Sequence, residues 1–112
     1  MAQIHVLGIV RDLMFVAKIG DTAKRAGCSC VFLTDYQRAL AKAEEHPALV
    51  IIDLGEATAR PIEFIAALKN SEKTRNIPVI GFFPHVQVDL KRKAEEAGCD
   101  RLIPRSAQSR NT

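Results

Sequence analysis

Four carboxylates stand where apolar runs of strand length give way to polar residues: Asp12, Asp35, Asp53 and Glu56. Groups of this kind can ligate a divalent cation, move protons or attack as nucleophiles. Asp53 is the most exacting of them, because it follows directly on Val50, Ile51 and Ile52 in the most hydrophobic stretch of the chain. Other residues at corresponding run ends are Val10, Arg11, Thr34, Gly55, Phe83, Pro84, His85, Arg105 and Ser106. Arg11 and Arg105 have the planar fork that can hold a carboxylate in a bidentate, charge-assisted pair. Of the three histidines, His5 lies in an apolar run and His46 at a helix end, so His85 alone could reach such a site. A solvent-facing loop histidine is the expectation for it, rather than a catalytic base.

Several chemistries fail at their first requirement. The chain has no Gly-x-Gly-x-x-Gly and no Walker lysine, so no nucleotide cradle is spelled out. No Ser/His/Asp order and no zinc spacing is present. Cys28 and Cys30 are one residue apart, the wrong spacing for a thioredoxin-type pair, and Cys99 stands alone. All three are expected to be small apolar residues in or beside strands, as free thiols in a reducing compartment. The formal charge is +3, but basic and acidic residues are interspersed, and Lys91, Arg92 and Lys93 are followed by Glu95 and Glu96. That pattern is a solvated helix face, not a nucleic-acid surface. The N-terminus lacks the features of a secretory signal, and no apolar run approaches the ~18 residues of a membrane helix. A soluble, cytoplasmic protein is expected.

The elements that must position these residues follow from hydrophobic periodicity. Apolar runs of strand length fall at residues 4–10, 28–33, 48–54, 77–83 and 100–104. Between them lie helical patterns. The first, 12–26, carries Leu13, Val16, Ala17 and Ala23 on one face and ends at Gly27. The second opens with a capping box from Thr34 to Gln37, turns Tyr36, Ala39, Leu40 and Ala43 inward, and breaks at His46 and Pro47. The third, 61–70, begins at Pro61, and the fourth sets Val86, Leu90, Ala94 and Ala97 inward before Gly98. Strict alternation of strand and helix implies a parallel sheet with helices on both faces, and ligands to such a sheet gather at the C-terminal strand ends. With 112 residues and only 5% aromatics, the chain makes one domain with an aliphatic core, spanning 1–105, and a polar tail, 106–112.

From about Ile4 to Arg105 the sequence resembles the receiver domains of response regulators, the CheY-like group. The run from Ala48 to Leu54 looks like their third strand, with Asp53 at the phospho-accepting position. Ile77, Pro78, Val79 and Ile80, then Ala97, Gly98, Cys99 and Asp100, then Ile103, Pro104 and Arg105 are similar to their block from the fourth strand to the fifth. Pro61, Ile62 and Glu63 fall where that family opens its third helix. The resemblance implies a flavodoxin-like, doubly wound α/β fold of five parallel strands in the order 2-1-3-4-5.

The departures cluster at the chemistry. Where the family has two acidic residues that help hold Mg²⁺, counting back from Gly27 finds Val10 and Arg11, with Asp12 one position late and suited to capping the first helix. The hydroxyl residue at the end of the fourth strand is replaced by Phe83, the switching aromatic of the fifth by Leu102, and its lysine by Arg105, followed by Ser106 instead of proline. Only Asp53 is left of the reactive groups. Little or no Mg²⁺ binding is expected and no catalytic residue is assigned; either Arg11 or Arg105 pairs with Asp53 in place of metal and lysine, or Asp53 is solvated at the sheet edge with both arginines pointing outward.

Five strand–helix units need ~115 residues, and the seven residues after Arg105 lack the apolar periodicity of a packed helix. A short or absent fifth helix would leave alternate side chains of the fourth and fifth strands uncovered, a face suited to homodimerisation or to docking of a partner helix unless the tail folds back over it as a stub. The expectation is a non-catalytic pseudo-receiver that binds protein partners in two-component-type signalling, with no nucleic acid or membrane among them. The alternative is a receiver that accepts phosphate on Asp53 from a histidine kinase in a phosphorelay, with Asp12, Asp35 or Glu56 recruited to a weakened metal site.

Overall fold

Strands and helices alternate strictly along the chain in the computed structural model, which describes residues 5–55, 60–83 and 88–104. The elements are β1 (Val6–Ile9), α1 (Leu13–Arg25), β2 (Cys30–Phe32), α2 (Tyr36–Ala43), β3 (Leu49–Asp53), α3 (Pro61–Lys69), β4 (Val79–Phe83), α4 (Val88–Ala97) and β5 (Arg101–Pro104). The strands pair in parallel in the order β2-β1-β3-β4-β5, as expected from the sequence. β3 lies in the middle, hydrogen-bonded to β1 and β4, and needs an apolar side chain on both faces. Val50 and Ile52 meet one face, Ile51 the other.

The two faces are covered unequally. On one, Leu7, Ile9, Val50, Ile52 and Val79 pack with Ala39 of α2, Phe64, Ile65 and Leu68 of α3, and Ala94 of α4. On the other, Val10, Ile51 and Phe82 pack with Phe15 of α1. Phe15 and Phe82 meet edge to face, with ring centroids 4.7 Å apart.

Helix ends follow local chemistry. Asp12 caps α1 by accepting from the N–H groups of Met14 and Phe15, at 2.9 and 3.3 Å. The other end closes in a Schellman motif: the Cys28 N–H donates to the Ala23 carbonyl and the Gly27 N–H to that of Lys24, with Gly27 at φ +77°. α4 ends similarly at Gly98, φ +108°.

Two details of the sequence reading change. Of the four residues expected on the inward face of α1, Ala23 is buried and Val16 packs half-buried against the same cluster, but Leu13 and Ala17 do not turn inward. Leu13 is 81% exposed and Ala17 is also exposed, while Phe15 and Ala23 are buried with Ile19 beside them. The Phe15–Ile19–Ala23 stripe wins because it sets the largest side chain against Phe82. The cap of α2 is Asp35, not Thr34: its Oδ2 accepts from the Arg38 N–H at 2.9 Å, and the Thr34–Gln37 box does not form.

At the N-terminal edge of the sheet, Lys69 ties three segments together. Its ammonium donates to Asp100 Oδ2 and to the Ile77 carbonyl, both at 2.8 Å, and to the Arg75 carbonyl at 3.1 Å. The same Asp100 oxygen accepts from the Val79 N–H. Among the described residues, no helix is long and apolar enough to cross a membrane.

Candidate functional site at the C-terminal strand ends

Asp53 ends β3 with only 9% of its surface exposed, and its Oδ1 accepts from the Gly55 N–H at 2.9 Å. That short turn holds the carboxylate over the sheet edge and leaves Gly55 exposed. Beside it, β1 runs out into Val10, Arg11 and Asp12, since Ile9 pairs with Ile52. Val10 is 2% exposed and belongs to the core under α1. Arg11 is exposed. Asp12 serves as the cap of α1 and Asp35 as the cap of α2, so each directs a carboxylate oxygen at helix N–H groups.

On the other side of Asp53, β4 presents Phe82 and Phe83 to opposite faces, as strand alternation requires. Phe83 is 4% exposed and joins the core beneath α2, α3 and α4, with Leu102 packed against the same cluster. Gly81 makes room for that packing. A Cβ there would stand 3.1 Å from Cys99 Sγ, 3.2 Å from Leu54 Cδ1 and 3.3 Å from Leu102 Cδ2. Three side chains therefore close over the glycine, and Leu102 lies inward. All three cysteines are half-buried free thiols, and burial pushes those of Cys30 and Cys99 up from the usual thiol range.

The structure thus gathers Val10, Arg11, Asp12, Asp53, Gly55 and Phe83 at one edge, with Leu102 beneath. Glu56, Pro84, His85, Arg105 and the tail 106–112 lie outside the described residues, and with them the expected pairing of Arg105 and the missing fifth helix.

No protein-family sequence model matches the chain, and no curated protein sequence does. Solved structures do match. A response regulator of Hahella chejuensis superposes with a TM-score of 0.81 at 21% identity, over 92% of this chain and 80% of its own. The fold is that of the response-regulator receiver domains. A chemotaxis response regulator of Vibrio cholerae matches with a TM-score of 0.80 at 18% identity, over 93% of this chain and 88% of its own. The receiver domain of a sensor histidine kinase from Pseudomonas aeruginosa, which has a magnesium ion coordinated in its active-site cleft, matches with a TM-score of 0.78 at 14% identity, over 98% of this chain and 93% of its own.

Mg²⁺ takes oxygen ligands in near-octahedral order, and among the described residues no three His, Cys, Asp or Glu side chains come together. Val10 offers hydrocarbon, Arg11 a like charge, and Asp12 an oxygen already engaged with Met14 and Phe15.

What the sequence reading missed lies one residue from what it noticed. Phe82 organises the face under α1, and its signal was period two: if Phe83 joins one core, its neighbour must serve the other. Gly81 inside the fourth strand carries a signal of its own, since an isolated strand glycine marks close approach of a neighbour.

Proposed function

We propose that this chain is a receiver-fold interaction module that presents one fixed surface to protein partners in cytoplasmic, two-component-type signalling, without phosphoryl chemistry of its own. One observation carries the reading: Leu102 sits packed over Gly81 with Phe83 in the same core, so the two positions that would carry a hydroxyl and a switching aromatic are filled by core side chains. Supporting it, Asp12 and Asp35 direct carboxylate oxygens at helix N–H groups, and Val10 belongs to the core. The positive charge beside Asp53 then comes from arginine, Arg11 or Arg105. Placement supports Arg11, which follows β1 directly while β1 pairs with the strand that Asp53 ends. The test is incubation with acetyl phosphate and Mg²⁺, read by intact mass against Asp53→Asn.

A second reading has one observation in its favour. Asp53 keeps its place at the end of β3, where its Oδ1 accepts from the Gly55 N–H. From there it could take a phosphoryl group from a histidine kinase, its oxygen attacking phosphorus as the imidazole nitrogen leaves. The same mass measurement decides between the two.

A further inference from the structure

One face of the sheet is buried under α2, α3 and α4, whereas among the described elements α1 alone covers the other. Beside α1 runs an apolar groove of about 430 Å³, floored by Leu49, Ile51 and Phe82 and walled by Ile19 and Ala23. Ile80 and Ile103, half-buried in the same cluster, carry the apolar floor on across β4 and β5. A continuous apolar strip of this kind marks a surface for association.

Both banks of the strip carry positive charge. Lys18 of α1 lines the groove and is exposed. On the far bank Arg101 is exposed and pairs in register with Ile80, and alternation along β5 sets it on the face of Ile103. Neither cation takes part in an ion pair among the described residues.

We propose that this groove receives an amphipathic helix of a protein partner, with its apolar stripe on Ile51 and Phe82 and Asp or Glu on both flanks facing Lys18 and Arg101. The inference rests on the reading of the chain as an interaction module and names the partner's chemistry. Helix-in-groove recognition uses apolar anchors at i, i+3, i+4 and i+7, and charge at the rim sets orientation and specificity. A second copy of this chain suits the groove less well. A two-fold interface sets the same patch against itself, which would face the cations of one rim toward those of the other. Residues 105–112 suit it no better, since Ala107 is their only apolar side chain.

The probes are three synthetic helical peptides of about five turns: a Leu stripe flanked by Glu, the same stripe flanked by Lys, and the Glu peptide with its stripe replaced by Gln. Fluorescence anisotropy is expected to show binding of the Glu-flanked peptide, about tenfold weaker binding of the Lys-flanked one, and none of the stripeless one. The double charge reversal Lys18→Glu with Arg101→Glu, checked for an unchanged circular dichroism spectrum and melting point, should weaken the Glu peptide about tenfold and favour the Lys peptide. Both substituted residues are exposed, so the fold should survive them. Absence of binding, equal affinity for both flanks, or indifference to the charge reversal would overturn the proposal. So would sedimentation showing a wild-type dimer that the Glu peptide dissociates, because the occupant would then be a second copy. No phosphoryl donor is present in these assays, so their failure and the failure of the reading of Asp53 are separate results.

Discussion

Leu102 leans over Gly81, its Cδ2 3.3 Å from where a glycine Cβ would stand. The leucine is thereby lodged inward in the slot that the missing side chain provides, together with Leu54 and Cys99. Gly81→Ala should crowd all three and destabilise the fold by about 1–3 kcal/mol. Leu102→Ala added to it should recover part of that loss, because one of the crowding groups is gone. A double-mutant cycle from urea denaturation reads the coupling, and strict additivity would mean that the two residues do not share this slot.

The edge-to-face contact of Phe15 and Phe82 is the main cover of the sheet under α1. Phe82→Ala should cost about 3–5 kcal/mol, and Phe82→Leu a fraction of that. Thermal and chemical unfolding measure both. A cost near zero for Phe82→Ala would show that this face contributes nothing to stability.

Asp12 separates a structural role from a metal-binding one. As the cap of α1, its replacement by Ala should cost about 1 kcal/mol, and Ser should restore most of it. Neither variant should alter the response of the protein to Mg²⁺ in a titration followed by intrinsic fluorescence or NMR. A change in apparent Mg²⁺ affinity would make Asp12 a ligand.

Lys69 and Asp100 give a pH dependence. Burial alone would raise the Asp100 carboxyl, but the Lys69 ammonium and the Val79 N–H outweigh it and hold the group below its ordinary 3.8. A carboxyl lowered by folding stabilises the folded state above its unfolded value, and that contribution disappears as pH falls through the folded value. The melting-point gap between the wild type and Asp100→Asn should therefore be steady from neutral pH down to about 5 and shrink below about 4. A gap that widened in acid would contradict this sign. Lys69→Met should cost more than the acid pH does, since it also strips a donor from the Ile77 carbonyl.

The element sequence was legible because local and global signals agree, while the strand order came from the resemblance to receiver domains. Continuous apolar runs such as residues 49–52 fit only a strand covered on both faces, and Gly27 and Gly98 stop helices where a left-handed residue is needed. The orientation of α1 was not legible, because Leu13, Met14, Phe15, Val16, Ala17 and Ile19 put apolar groups nearly all round its first turns. Only the position of Phe82, two strands away in the sheet, decides which stripe faces inward. At the site, the sequence pointed to Asp53 and to the substitutions around it, and it named capping as one of two roles for Asp12. It could not reveal the charged banks of the groove. Lys18 and Arg101 lie 83 positions apart in the chain, and the register of β5 on β4 sets them on the same face of the sheet.

The central claim is that Asp53 stands at the right place without the chemistry to use it. Intact mass spectrometry after incubation with acetyl phosphate and Mg²⁺ tests this most directly. The account predicts a single species at the unmodified mass, identical in behaviour to Asp53→Asn. A species heavier by about 80 Da, the mass of one phosphoryl group, that is absent from Asp53→Asn would contradict it.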